Sequence, residues 1–208
     1  AFQGWGASPE IDMTTLGAKA SYNNAIFEQG PLEVTSCGTG VVSPFLTVQG
    51  SGAPPLIDRG FNTGGTVEFD TVGGGDRTRP LLLSGVPEVE KDGDVYREFK
   101  LDINKFNKTP YLALSELQLF VTTDPNIVGY DPATDSFPGT DAELEWDLGD
   151  AVVLMDYNLE PGSGECDLSF FVKTSELASK NGEDCSYGSS DCATYLVMWN
   201  EYGDFVEE

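Results

Sequence analysis

Histidine is absent from this 208-residue sequence, and basic residues are scarce, with 11 Lys and Arg against 35 Asp and Glu. Without histidine, the chain has no Ser–His or Cys–His catalytic pair, no histidine-ligated metal and none of the common Cys/His zinc sites. A net charge of −24 repels the phosphates of nucleic acids and anionic membranes. We therefore expect no nucleic-acid partner.

Other signatures of enzymes and membrane proteins are also missing. The sequence has no GxSxG nucleophile turn and no phosphate loop ending in GK[ST]. No stretch approaches the roughly 18 apolar residues that a spanning helix requires, so we expect no direct membrane insertion. A glycosidase needs only two carboxylates and remains a third-ranked alternative. The sequence predicts a protein that is not an enzyme and requires no cofactor.

The four cysteines form an even set without CxxC spacing: Cys37, Cys166, Cys185 and Cys192. The Gly- and Ser-containing segment "CSYGSSDC" can close a tight loop, which favours a Cys185–Cys192 disulfide with Cys37–Cys166 as its long-range companion. Four buried free thiols are the alternative. The sequence begins at Ala1 without a Met, as a mature protein does after its signal peptide is removed, although an arbitrary chain boundary would look the same. The cysteine pattern predicts a secreted protein, either extracellular or on the cell surface.

Apolar residues alternate with polar ones along most of the chain, which is the period of half-buried β-strands. "ELEWDL" places Leu144, Trp146 and Leu148 on one face, whereas "VVLM" (152–155) and "YLVMW" (195–199) are apolar on both faces. Short Gly- and Pro-rich turns such as "KDGD" separate these runs. We predict an all-β, antiparallel, two-sheet sandwich of jelly-roll type, without substantial helix, in which residues 23–208 form a single domain.

Residues 1–22 have a different character, with a Gly-rich start followed by a weakly alternating segment. They are either the first strand of the chain's own sandwich or an arm that adds a strand to a neighbouring copy. The apolar side chains that would fill the neighbour's groove are Phe2, Trp5, Ile11, Met13, Leu16 and Tyr22.

Residues 109–172 contain 13 Asp and Glu and no Lys or Arg. Acids in turns supply the oxygen ligands of calcium sites, although a solvated acidic rim is the simpler interpretation. The first candidate group is Asp156, Asn158, Glu160 and Asp167, and the second is Asp92 and Asp94. Calcium is thus a candidate ligand.

Asn107-Lys108-Thr109 is a candidate N-glycosylation sequon between two strand patterns.

An ordered series of strand motifs runs through residues 35–208. It includes "GTGVVSPFLTVQG" (38–50), "DVYREFKLDIN" (94–104), "ALSELQLFVT" (113–122) and "YLVMWNEYGDF" (195–205). This series resembles an exported β-sandwich family common among bacterial PEP-CTERM surface proteins. The four cysteines are no part of that match. The resemblance implies a β-sandwich at the cell surface or in the extracellular matrix, and says less about activity.

These observations favour a non-enzymatic extracellular structural protein. Its N-terminal strand would add to a neighbouring copy, and such head-to-tail contacts build fibres or a matrix. The alternative is a carbohydrate-binding module that uses exposed aromatic side chains of a sandwich face. Trp5 is the candidate for that role, because Trp146 and Trp199 lie in apolar strand patterns that predict burial.

Overall fold

The computed structural model describes residues 8–30, 44–50, 57–103, 110–159 and 166–204. Within these ranges the chain forms twelve strands. They are β1 (Glu10–Met13), β2 (Lys19–Tyr22), β3 (Ala25–Gln29), β4 (Ile57–Phe61), β5 (Leu81–Leu82), β6 (Glu88–Lys91), β7 (Asp94–Leu101), β8 (Tyr111–Thr122), β9 (Glu143–Asp147), β10 (Val152–Asp156), β11 (Leu168–Lys173) and β12 (Tyr195–Asp204). The helical segments of the described residues are three-residue 3₁₀ turns: Leu83–Gly85, Tyr157–Leu159, Thr174–Glu176 and Lys180–Gly182. The predicted all-β fold class is confirmed.

The strands form two sheets that pack face to face. The first sheet has the order β1–β10–β8–β12–β4, with β9 pairing along β8 and β5 pairing along β12. The second sheet has the order β2–β3–β11–β7–β6. The described pairings are antiparallel with one exception, the parallel pair of β1 and β10. The chain is therefore a two-sheet β-sandwich.

Alternating side chains of both sheets fill the space between them. In the second sheet, Phe27, Phe170 and Phe99 stand side by side on three neighbouring strands, with ring centroids 6.3 Å and 4.8 Å apart. They meet the inward side chains of β8, β10 and β12 in one continuous core. Burial of this shared apolar face is the main force that holds the two sheets together.

The outer face of the first sheet carries a second cluster, which explains why β8 and β12 are apolar on both sides. The segment between β8 and β9 places Ile127, Tyr130 and Phe137 over Phe120 and Trp199. On β12, Leu196 and Met198 face the main core, while Val197 and Trp199 face this outer cluster. The prediction that "YLVMW" is covered on both faces is confirmed.

A β-bulge corrects one sequence prediction. Along the β8–β9 pair, Leu119 faces Trp146, whereas Phe120 faces Leu144, so that Glu145 is an extra residue on β9. The extra residue reverses the alternation at this point. Leu144 consequently points away from the core and is 44% exposed, instead of sharing a face with Trp146.

Candidate functional site: the seat of the N-terminal strand

β1 lies at the end of the strand order of the first sheet and follows the edge of β10. Its residues pair in register from Glu10 opposite Val152 to Met13 opposite Met155. The backbone N–H of Val152 donates a hydrogen bond of 3.0 Å to the carbonyl oxygen of Pro9. β1 therefore completes the sheet at this edge by main-chain hydrogen bonding.

Side chains of β1 alternate between solvent and core. Glu10 and Asp12 are exposed, whereas Ile11 and Met13 are buried in the main core. β1 also contacts β2 and β3 of the opposite sheet. We call the surface that receives β1, formed by the edge of β10 and the facing side of β2 and β3, the β1 seat.

Residues 14–18 connect β1 to β2 and carry the chain from one sheet to the other. A turn closes where the N–H of Ala18 donates to the carbonyl of Thr15 at 3.0 Å. Gly17 adopts a left-handed φ of +76°, which favours glycine, and its N–H donates to Oε1 of Gln29 at 2.8 Å. Leu16 stands at the tip of this connection and is 63% exposed.

β2 is held in place by its turn, in contrast to β1, which is held by its buried side chains. It forms a hairpin with β3 through Asn23 and Asn24, whose positive φ values of 46° and 59° suit a tight hairpin turn. Nδ2 of Asn23 donates to the carbonyl of Asp147, and Nε1 of Trp146 donates to the carbonyl of Asn23, both at 2.7 Å. These bonds tie the hairpin to the opposite sheet.

The structure thus divides the candidate assembly residues. Ile11 and Met13 lie in the chain's own core, Tyr22 packs beside it on β2, and Leu16 is exposed between them. Phe2 and Trp5 lie outside the described residues. Sequence reasoning treated residues 1–22 as one unit and missed the change of sheet at residues 14–18, for which Gly17 was the available signal.

The disulfide prediction is confirmed for one pair. Cys185 and Cys192 are bonded, with Cα atoms 4.8 Å apart. Cys166 is buried and is also disulfide-bonded, but Cys37 of the predicted second pair lies outside the described residues, as does the sequon residue Asn107. A disulfide that closes this loop is typical of oxidising compartments.

Arg97 holds the disulfide loop against the sandwich, a role that sequence reasoning missed. Its guanidinium donates to the carbonyl of Cys185 at 2.6 Å and to the carbonyls of Leu83 and Val86 at 2.8 Å and 3.1 Å. An ion pair with Glu88 at 3.1 Å compensates its charge. Burial lowers the pKa of Arg97, and the carboxylate of Glu88 opposes that effect.

Two of the calcium candidates, Asp156 and Asp167, belong to different sheets. Asp156 ends β10 in the first sheet, where its Oδ1 accepts the N–H of Asn158 at 2.9 Å. Asp167 precedes β11 in the second sheet, and its Oδ2 accepts the N–H of Ile103 at 2.6 Å. Glu160 lies outside the described residues, so this calcium group stays a prediction.

The second calcium candidates have structural partners. Asp92 and Gly93 form the turn of the β6–β7 hairpin with φ values of 53° and 86°, and Asp94 forms an ion pair of 2.6 Å with Lys173. Within the described ranges, close clustering of three potential Cys, Asp or Glu ligands occurs at Glu183, Cys185 and Cys192. Since both cysteines are in the disulfide, that cluster offers no thiolate ligand.

Two tryptophans are buried as their strand patterns predict, whereas Trp5 lies outside the described residues. Trp146 is buried in the main core, and Trp199 is fully buried in the outer cluster, stacked on Tyr130 at 3.9 Å. Phe69 covers this stack with its ring 5.0 Å from that of Trp199 and is 41% exposed. Phe69 also has φ of +56°, which is uncommon for a bulky side chain.

An acidic group borders the outer cluster. Glu116 on β8 faces Glu201 on β12, and Oε2 of Glu116 accepts the indole N–H of Trp199 at 2.8 Å. Burial raises the pKa of Glu116; the bond from Trp199 opposes this, and the charges of Glu201, Asp135 and Asp147 reinforce it. Like charges directly opposite each other destabilise a sheet, and an ion pair of 3.6 Å between Arg59 and Glu201 offsets part of this repulsion.

Comparison with protein-family models, with curated proteins and with solved structures finds no match to this chain. The resemblance to the exported β-sandwich family of PEP-CTERM surface proteins therefore stays a prediction. The described residues contain no helix with the length and hydropathy that a bilayer crossing demands.

Proposed function

We propose that this chain is a non-enzymatic extracellular structural protein that assembles into a fibre or matrix by adding its N-terminal strand to a neighbouring copy. The observation that carries the proposal is the placement of β1. This four-residue strand lies at the edge of its sheet, yet contributes Ile11 and Met13 to the main core. Removing β1 would leave the apolar surface of the β1 seat exposed to water. The β1 strand of a second copy has the same side chains and can cover that surface equally well.

Two further features support an extracellular structural role. The Cys185–Cys192 disulfide suits an oxidising environment outside the cytosol. The charge of −24 keeps free copies apart at low salt, whereas screening or bound cations at higher ionic strength would reduce this repulsion. Assembly after export into a salty or calcium-bearing medium follows naturally from this composition.

Electron microscopy of the full chain tests the proposal, in low salt, in physiological salt and with calcium or a chelator. We expect regular filaments or an ordered matrix at physiological salt, and their loss in Met13→Asp, because a charge cannot enter the β1 seat. Glu10→Gln on the exposed face of the same strand is the matched control and should assemble normally. Dispersed monomers of the unmodified chain under every condition would overturn the proposal.

A carbohydrate-binding function is the second candidate, and Phe69 is the observation that favours it. This ring is partly exposed beside the buried Tyr130–Trp199 stack, and the guanidinium of Arg59 lies 5.5 Å from its centroid. Exposed aromatic rings are a common means of packing against sugars. A glycan array tests this function. If the protein forms no filaments but binds a glycan, and Phe69→Ala abolishes that binding, carbohydrate binding becomes the better-supported function.

A further inference from the structure

We infer that β1 is the exchanged element, that residues 14–18 are the hinge, and that the β1 seat receives β1 of a second copy in the same parallel register. This inference rests on the proposed function and specifies its junction. It differs from addition of the whole segment 1–22, because β2 remains in its own subunit. The partner is a second copy of this chain. Its β1 has the same sequence and can therefore make the same contacts in the β1 seat.

The position of the hinge follows from the different anchoring of β1 and β2. β1 and β2 each end the strand order of their sheet, and β1 has the more deeply buried side chains. What distinguishes β2 is its two-residue hairpin turn to β3, whose residue Asn23 is bonded to Trp146 and Asp147 of the opposite sheet. Detaching β1 requires breaking a four-residue ladder, while detaching β2 would also open the hairpin. The break therefore falls between Met13 and Lys19.

The connection is suited to opening. Its closed form is held by the Ala18–Thr15 bond, by the bond from Gly17 to Gln29, and by two bonds from Thr14 to Oδ1 of Asp12 at 2.9 Å and 2.6 Å. These are local interactions, so the segment can extend once they are released. Short connections between exchangeable elements are the usual hinges of domain swapping. Leu16, exposed in the closed turn, would then lie between the two subunits, where it can be buried.

The parallel register gives the junction a direction. A strand entering the seat must run alongside β10 with Ile11 beside Val153 and Met13 beside Met155, as it does within one copy. The extended hinge reaches roughly 20 Å from Met13 to Lys19, so the donor subunit must sit directly against the β1 edge of the acceptor. Repetition of this head-to-tail contact builds a polar chain, whereas reciprocal exchange builds a closed dimer.

Cysteine trapping tests the exchange on the full chain. Asp12 and Leu154 are register partners on the outward side of the first sheet, so the double variant Asp12→Cys/Leu154→Cys places two thiols within reach of a disulfide. Glu10→Cys/Val152→Cys, one step along the same register, is a second variant if the first folds poorly. Each single-cysteine variant is the control for random oxidation.

The assemblies are oxidised after their formation is verified by microscopy, then separated on non-reducing gels, with the linked peptides identified by mass spectrometry. Mixing ¹⁵N-labelled and unlabelled chains distinguishes links between copies from links within one copy. We expect a ladder of covalent multimers with mixed-label 12–154 peptides. We also expect loss of assembly when the disulfide is formed first, in dilute monomers.

Filaments whose 12–154 links lie within single copies would overturn the exchange while leaving the structural function standing. Locked monomers that still assemble would overturn it in the same way. A chain that never assembles, with or without the cysteines, would contradict the proposed function itself and this inference with it.

Discussion

Met13→Ala and Met155→Ala remove the same atoms from two residues that face each other across the β1–β10 pair. Met13 is 1% exposed and Met155 is 2% exposed, and both belong to the main core. Met155 lies on β10, which is held between β1 and β8, whereas Met13 lies on the terminal strand of the sheet. If β1 can detach while the rest of the sandwich stays folded, the two substitutions should lower the free energy of global unfolding by different amounts.

A buried methionine replaced by alanine typically costs about 2–5 kcal/mol, and we expect Met155→Ala to lower the free energy of global unfolding by that amount. The cost of Met13→Ala cannot exceed the free energy that docks β1, because the strand detaches once docking is lost. Burial of Ile11 and Met13 contributes about 3–6 kcal/mol. Ordering four residues costs about 4–8 kcal/mol, and each ladder hydrogen bond returns about 1 kcal/mol. At the middle of these ranges, a few ladder bonds leave docking worth about 2 kcal/mol.

Chemical denaturation and amide hydrogen exchange of the two variants, under conditions that keep the protein monomeric, measure this difference. We expect Met13→Ala to reduce the midpoint less than Met155→Ala, and to abolish protection in β1 and at the facing edge of β10 while β8 and β12 stay protected. Equal losses of global stability, with uniform loss of protection in both variants, would refute the view that β1 is a separable unit.

Three other substitutions test the remaining sites by thermal and chemical denaturation. Arg97→Met should lower the free energy of unfolding by about 3 kcal/mol and increase reduction of the disulfide, because three carbonyls lose their donor; an unchanged midpoint would contradict this clamp. Glu116→Gln should stabilise the protein by up to about 1 kcal/mol at neutral pH by removing the repulsion from Glu201. Because the pKa of Glu116 is raised in the folded state, its ionisation lowers the free energy of unfolding as the pH rises above the ordinary pKa of 4.5. The variant should lack this pH dependence. Burial would raise the pKa of Asp141, but hydrogen bonds from Thr122 and Thr123 lower it to about 2. Asp141→Asn should therefore cost about 1 kcal/mol above the ordinary pKa of 3.8, a deficit that disappears as the pH falls toward 2; a pH-independent deficit would exclude the carboxylate as its origin.

Local patterns in the sequence were sufficient for the fold class, because alternation, turn residues and loop-closing cysteines act over a few positions. The two-sided apolar runs at 152–155 and 195–199 are buried strands, as their pattern predicts. "KDGD" forms a hairpin turn because Asp92 and Gly93 accept positive φ. The Cys185–Cys192 loop closes over seven residues. Each of these features depends on residues close together in the chain.

Tertiary structure alone decided where β1 goes, which side Leu144 faces and what Arg97 holds. β1 pairs with a strand about 140 residues further along the chain, and the bulge at Glu145 depends on the register with β8. Arg97 joins Cys185 to a turn about 100 residues earlier. Such contacts form because the two sheets must fill one shared core and pair their buried polar groups. Both requirements involve residues that are far apart in the sequence. Alternation in residues 1–22 was enough to predict a strand-forming apolar segment. The folded sandwich was needed to show that four of those residues pair with β10 and contribute Ile11 and Met13 to the main core.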